Sequence, residues 1–283
     1  MNGLRLDVGE RQQHQAQAEP DLNRQTDIRV NNQVIEIRPD NFRVLKDLGR
    51  GAYGVVEMIE HISSGIKLAV KRIQASNLQD QDRLLRDMHV LTRARGCPNI
   101  VEFYGAIYWE AHVYLFMEIM DASLDVFYKK AFQKRIDSNQ VAVPENVLGK
   151  IAGSVLSALH YLRQMDVIHR DVKPSNILIN RCGIVKLCDF GIAGYLENSV
   201  ARTYEAGCKP YMAPERLNPN QQGYNSRSDV WSLGLTMFEI TTGEFPYRQK
   251  DIFVQLKSIY NDPAPKLPPN QFSEEYQQFI TSW

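Results

Sequence analysis

Apolar residues along this chain follow two different periods, with the change near Asp121. From Phe42, short runs rich in β-branched and aromatic residues alternate with turn residues. Phe42–Leu48 leads into Gly49-Arg50-Gly51-Ala52-Tyr53-Gly54, then Val55–His61, a Ser63-Ser64-Gly65 turn, and Ile66–Ile73. Strand, glycine loop, strand and turn in that order predict antiparallel hairpins. Residues 80–95 switch to helical period, with Leu84, Met88 and Leu91 on one face and Asp87 beside it. Ile100–Trp109 and Val113–Met120 predict two further strands. Beyond Asp121, Leu148, Ile151, Val155, Leu159 and Leu162 fall at helical spacing within Glu145–Gln164. Val167–Arg181 and Ile184–Phe190 hold short strands around a loop, and Gly191–Glu215 is irregular. Asp229–Thr242 predicts a buried helix and Asp251–Tyr260 a shorter one. A proline cluster (Pro263, Pro265, Pro268, Pro269) precedes a last helical start at Ser273. No internal repeat is present. Five strands with one helix, then a mainly helical half, predict an α+β architecture of two lobes with a cleft between them.

Residues 1 to about 33 are polar and rich in glutamine (Gln12, Gln13, Gln15, Gln17, Gln25) and show no apolar period. Such a segment cannot bury enough surface to offset the entropy of ordering it. The expected layout is a disordered polar tail over 1–39, with Val34–Ile37 as a short leading strand. An N-lobe over 40–120 and a C-lobe over 121–283 follow it.

Composition narrows the class. The chain has 283 residues, 43% of them hydrophobic, enough for a substantial core. Its formal net charge is zero, which argues against a nucleic-acid or anionic-membrane partner. Cys97, Cys182, Cys188 and Cys208 match no metal-site spacing and read as free intracellular thiols. No basic segment and apolar run mark a signal peptide, and Asn2 stands where N-myristoylation needs glycine. The longest apolar stretch, around Val113–Met120, is too short to span a bilayer. The expectation is a soluble cytoplasmic protein, or a nuclear one, with neither nucleic acid nor membrane as partner.

Five motifs carry chemistry. Gly49 to Val56 reads G-x-G-x-x-G-x-V. Dinucleotide-binding proteins share the glycine spacing, and a plain hairpin turn competes with both readings. In the dinucleotide fold, however, the glycines open a helix. Here Val55-Val56-Glu57-Met58-Ile59 follows, a β-rich run that suits a flap over a triphosphate. Ala69-Val70-Lys71 ends an apolar strand: Ala69 leaves room for a flat adenine, and Lys71 can hold phosphate oxygens, oriented by Asp87. A solvated strand lysine is the ordinary alternative. His169-Arg170-Asp171-Val172-Lys173-Pro174-Ser175-Asn176 is the most specific motif. Asp171 can accept a hydroxyl proton, Lys173 can neutralise charge on a transferred phosphoryl, and the Asn176 amide oxygen can ligate Mg²⁺. Asp189-Phe190-Gly191 supplies a second metal oxygen, and Ala213-Pro214-Glu215 closes the segment that Asp189 begins.

All five motifs occur in one order, and over residues 40–283 the chain resembles the eukaryotic protein kinases. Ser199-Val200-Ala201-Arg202-Thr203, an S-x-A-x-T segment, looks like the activation segment of MAP kinase kinases. Cys208-Lys209-Pro210 and Asp87 in the usual glutamate position are similar to those that activate stress-responsive MAP kinases, as are Met117-Glu118-Ile119-Met120 and the short approach to Phe42.

The resemblance implies a dual-specificity enzyme that uses ATP and Mg²⁺ to phosphorylate threonine and tyrosine in a T-x-Y motif of a MAP kinase substrate. An upstream MAP kinase kinase kinase would activate it at Ser199 and Thr203, with Arg170 pairing the added phosphate. Tyr204 is a weaker candidate. The nucleotide site it implies comprises Leu48, Gly49, Arg50, Gly51, Ala52, Tyr53, Gly54, Val55, Val56, Ala69, Lys71, Met117, Glu118 and Met120. Catalysis falls to Asp171, Lys173, Lys71 and Asp87, and metal binding to Asn176 and Asp189. Cys188 is expected to line the cleft, as either a buried inert thiol or a reactive one. Cys208 stands where many such kinases carry a threonine. The C-lobe is expected to be incomplete, because Ser273–Trp283 reads as the start of a helix and a kinase domain continues beyond it. That leaves an alternative: a truncated, non-catalytic chain acting as a binding or competitor module in the same cascade.

Overall fold

The computed structural model describes residues 25–51, 54–75, 84, 88–135, 141–189, 209–217, 226–249 and 251–282. Its N-terminal half is built on strands β1 (Thr26–Val30), β2 (Gln33–Ile37), β3 (Phe42–Gly51), β4 (Gly54–His61), β5 (Lys67–Gln74), β6 (Phe103–Trp109) and β7 (His112–Met117). Strands β3 to β7 form one antiparallel sheet in the order β3-β4-β5-β7-β6. Alternate residues of β5 face opposite ways. Leu68 and Val70 join the outer core, while Ile73, in step with Ala69 and Lys71, joins the core beneath the sheet. That period places Ala69 and Lys71 on the cleft side. Leu84 and residues 88–93 are helical, and Leu84, Met88 and Leu91 are buried against the sheet as their spacing predicts.

The expected disordered tail over 1–39 needs correction. Thr26–Val30 and Gln33–Ile37 pair as a hairpin, closed by Asn31 and Asn32, both at positive φ (49° and 65°). Asparagine tolerates that conformation, and a two-residue turn of this kind matches the twist of the strands. Ile28, Val30, Ile35 and Ile37 point inward and are buried with Ile107, Tyr114 and Phe116. Each such burial contributes about 1.5–3 kcal/mol, which offsets the ordering of the segment. The hairpin seats on β6 at Gly105, where an added Cβ would lie 2.7 Å from Ile28 Cγ2.

The C-terminal half holds helices α1 (Leu124–Lys134), α2 (Glu145–Gln164), α3 (Pro214–Leu217), α4 (Arg227–Thr242), α5 (Ile252–Asn261) and α6 (Glu274–Thr281). A small sheet joins β8 (Ala122–Ser123), β9 (Ile177–Ile179) and β10 (Val185–Leu187). Helix α2 has the predicted bounds and buries its predicted stripe of Leu148, Ile151, Val155, Leu159 and Leu162. Asp251 and Ser273 cap α5 and α6 by accepting main-chain N–H bonds. Helix α1 was not foreseen; it buries Leu124 and Tyr128, one turn apart. Ile100, predicted inside a strand, instead makes a single parallel bridge to Leu187, and β6 starts at Phe103. The main core runs unbroken from beneath the N-lobe sheet, through Ile100, Val172 and Leu187, into α2 and α4. The cleft lies along that seam. No described helix is long and apolar enough to cross a membrane.

Candidate active site

A cleft of about 710 Å³ opens between the lobes. Its roof is the cleft-facing side of the sheet: Leu48, Gly49 and Arg50 of β3, Gly54 and Val56 of β4, and Ala69 and Lys71 of β5. Gly54 takes a φ of 137°, and a Cβ there would sit 2.0 Å from the Arg72 carbonyl oxygen. Only glycine lets β4 lie this close to β5 at the mouth of the loop. Met117 and Met120 line the back wall, and Leu178 is part of the opposite side. β7 ends at Met117, and the main-chain groups of Ile119 and Met120 have no backbone partner among the described residues. They remain available to a flat polar ring edge.

Two predicted nucleotide-site residues have side chains outside the cleft lining. Val55 is out of phase with Val56 on β4 and does not line the cleft. The Glu118 side chain turns away from it, accepting from the Glu102 N–H at 2.6 Å and pairing with Lys186. Gly51 is described only in its backbone as the end of β3, while Ala52, Tyr53, Asp87, Ser199, Thr203, Tyr204 and Cys208 lie outside the described residues.

The polar side chains gather at the other end. Lys71, nearly fully buried, places Nζ 2.7 Å from Asp189 Oδ1. Burial is the largest influence on the Asp189 carboxyl and pushes its pKa up; the Lys71 cation, helped by Lys173, outweighs it and holds the pKa below the usual carboxylate value. Asp171 Oδ2 receives Lys173 Nζ at 2.8 Å and Asn176 Nδ2 at 2.7 Å, and Nδ2 also donates to the Asp171 carbonyl. The Asn176 amide nitrogen is thus committed to Asp171, and its Oδ1 has no protein partner among the described residues. Asp189 Oδ2 has none either. One carboxylate oxygen and one amide oxygen lining the same cleft are the hard donors that suit Mg²⁺, which completes its shell with phosphate and water. No group of three or more His, Cys, Asp or Glu among the described residues forms a metal cage by itself.

The turn carrying these groups is held from beneath. Asp229, in the first turn of α4 and almost fully buried, accepts the main-chain N–H groups of His169 and Arg170, each at 2.8 Å. His169 Nδ1 accepts the Asp171 N–H, so Nε2 carries the proton and donates to the Cys188 carbonyl at 2.9 Å. Arg170 and Asp189 both adopt positive φ (70° and 62°), a costly conformation for residues with a Cβ. Sequence reading placed Asp229 only as a helix start. Its role arises from 60 residues of chain separation and carries no local signal. Cys188 lines the cleft, and burial, ahead of the Asp189 charge, pushes its pKa up. That shift favours the protonated thiol. Beyond Asp171 the cleft runs on past Asp125, Lys129, Tyr211 and Glu239, none of them foreseen. Glu239 accepts from the hydroxyls of Tyr128 and Tyr211, tying α1 and the stretch before α3 to α4.

A glycine-rich strand turn over a lysine, an aspartate, an asparagine and a second aspartate, set between a sheet lobe and a helical lobe, defines a protein kinase. The family model for the protein kinase domain matches residues 42–283. Three relatives come from Caenorhabditis elegans. The dual specificity mitogen-activated protein kinase kinase sek-1 is 48% identical over 254 residues, covering 88% of this chain and 74% of its own length. The MAP kinase kinase mkk-4 is 43% identical, with 83% and 65% covered. The dual specificity mitogen-activated protein kinase kinase mek-1 is 40% identical, with 84% and 66% covered. The chain belongs to the protein kinase family and, within it, to the MAP kinase kinases. It spans about two thirds to three quarters of the length of these relatives.

Proposed function

We propose that this chain is a dual-specificity MAP kinase kinase. It transfers the γ-phosphoryl group of ATP to the threonine and the tyrosine of a T-x-Y motif in a stress-activated MAP kinase. The reading is carried by one observation: Lys71, Asp171, Lys173, Asn176 and Asp189 converge on a single cleft under a glycine turn. In this reading Asp171 accepts the proton of the substrate hydroxyl, and Lys173, 2.8 Å away, balances the charge that develops on the transferred group. Lys71 holds the α- and β-phosphate oxygens, and the Ile119–Met120 main chain meets the adenine edge. Asp189 and the Asn176 amide oxygen would hold Mg²⁺, which would supply neutralisation of phosphate charge. The site is compatible with both acceptor hydroxyls because positioning and electrostatics carry most of phosphoryl transfer.

Activation proceeds through an upstream MAP kinase kinase kinase that phosphorylates Ser199 and Thr203. The dual specificity named for sek-1 and mek-1 supports the Thr/Tyr reading, and the Ser199-x-Ala201-x-Thr203 pattern supports the phosphosites. The test is phosphoamino-acid mapping of a MAP kinase incubated with this chain, ATP and an upstream kinase. Phosphate on both residues of T-x-Y, lost when Ser199 and Thr203 are both replaced by alanine, is the expected result. Phosphate on serine or threonine alone contradicts dual specificity, and full activity in the double variant contradicts the phosphosites.

A further inference from the structure

The connection between the lobes is held by an ion pair that the catalytic cluster does not use. Glu118 follows β7 in that connection, and its Oε1 accepts both Lys186 Nζ at 2.5 Å and the Glu102 N–H at 2.6 Å. The two side chains are only 14% and 18% exposed, so the pair is weakly screened. Lys186 is the middle residue of β10, paired across the strands with Leu178 on the cleft side. Its neighbours Val185 and Leu187 point into the core, as alternation along a strand requires. Three residues further on stands Asp189.

The same strand is gripped along its other edge by the stretch before β6. The Leu187 N–H donates to the Asn99 carbonyl at 2.8 Å, the Val101 N–H donates to the Leu187 carbonyl at 3.0 Å, and Asn99 Nδ2 donates to the Val185 carbonyl at 3.1 Å. Glu118 therefore sits where three pieces of backbone meet: the interlobe connection, the segment entering β6, and the strand that delivers Asp189.

We propose that Glu118 and Lys186 form a hinge latch, a positioning pair that fixes the Ile119–Met120 main chain relative to Asp189 and thereby sets nucleotide affinity. The proposal rests on reading the cleft as a nucleotide site. Neither side chain lines that cleft, so the pair acts only through the backbone segments it joins. Without Lys186, the Glu118 carboxylate keeps a single donor while largely buried, and the connection gains freedom to turn that carboxylate toward water. The purine edge and the metal-binding oxygen then lose their fixed separation, and the entropy of restoring it appears as weaker binding.

The test is equilibrium binding of a fluorescent ADP analogue with Mg²⁺ to the full chain and to Lys186→Met, Lys186→Arg and Glu118→Gln. Lys186→Met is expected to weaken binding about five- to twentyfold, within the usual range of coupling between sites. Glu118→Gln, which keeps an uncharged acceptor for both donors, weakens it less. Lys186→Arg, which keeps the charge, stays within about twofold. In phosphoryl transfer the same order appears in KM for ATP, with kcat nearly constant. If Lys186→Met lowers the melting temperature and leaves nucleotide affinity unchanged, the pair is merely structural and the latch is overturned. Glu118→Gln decides the matter in the same way should Lys186→Met fail to fold. Failure of the unsubstituted chain to bind the analogue would overturn the nucleotide reading itself, and the latch with it.

Discussion

Lys71 Nζ lies 2.7 Å from Asp189 Oδ1, joining the cleft side of the N-lobe sheet to the start of the Asp189-Phe190-Gly191 motif. The contact keeps a partly buried carboxyl ionised below its usual pKa, against the pull of burial. A group whose pKa is lowered by folding adds stability above its unfolded pKa and loses it as pH falls through the folded value. Lys71→Met removes the cation and leaves burial to push the Asp189 pKa up. The variant should lose about 3 kcal/mol near pH 7, the lower end for breaking a buried pair, because Asp189 keeps a quarter of its surface exposed. The deficit should shrink as pH falls through the raised Asp189 pKa of the variant and close only below the lowered pKa of the unsubstituted protein, which lies under the ordinary carboxylate value of about 4. Urea unfolding of both proteins at a series of pH values measures it; a deficit independent of pH would show that Asp189 is not the group involved.

Asp229→Asn should separate positioning from chemistry. The carboxylate accepts two main-chain N–H groups, and an amide can orient only one oxygen toward them. Leaving one buried N–H unpaired costs about 1–3 kcal/mol. Release of the strained turn at Arg170 moves Asp171. The expected result is a lower melting temperature and a lower kcat with KM for ATP little affected. A variant with wild-type kcat would contradict the role assigned to Asp229.

Gly54→Ala places a Cβ 2.0 Å from the Arg72 carbonyl oxygen at a φ of 137°. Both strands must part locally, and strain of about 1–3 kcal/mol falls on the turn over the cleft. Nucleotide binding by calorimetry should weaken about tenfold, the equivalent of 1.4 kcal/mol. An unchanged dissociation constant would show that the turn does not cover the ligand.

The hairpin offers an independent check on the N-terminal boundary. Ile28→Ala removes a fully buried side chain seated against Gly105 and should cost about 2–5 kcal/mol. Hydrogen exchange should accelerate at Thr26–Ile37 first, with the cleft keeping its protection. Equal protection of the hairpin in both proteins would contradict its seating on β6.

The polar cluster that gathers in the cleft was legible because it is written in short stretches of sequence: His169 to Asn176 and Asp189 lie within a few positions of one another. Helix α2 was legible from five leucine-like positions at helical spacing. The hairpin was hidden by counting polar residues over the whole stretch to residue 33. Ile28 and Val30 against Ile35 and Ile37, around Asn31-Asn32, are a strand-turn-strand pattern that composition averages away. The family resemblance implies Glu118 at the nucleotide site, yet the direction of its side chain depends on Lys186, far along the chain. Asp229 and Glu239 act on segments brought near by folding alone, so no window of sequence reveals them.

The central claim is most directly tested by phosphoryl transfer to a MAP kinase bearing T-x-Y. The chain would carry Ser199→Asp and Thr203→Asp, with the same chain bearing Asp171→Asn as the comparison. The account predicts phosphate on both the threonine and the tyrosine, with the rate about 10²–10⁴ lower once the base is removed. Equal rates in the two proteins, or no transfer by either, would contradict it.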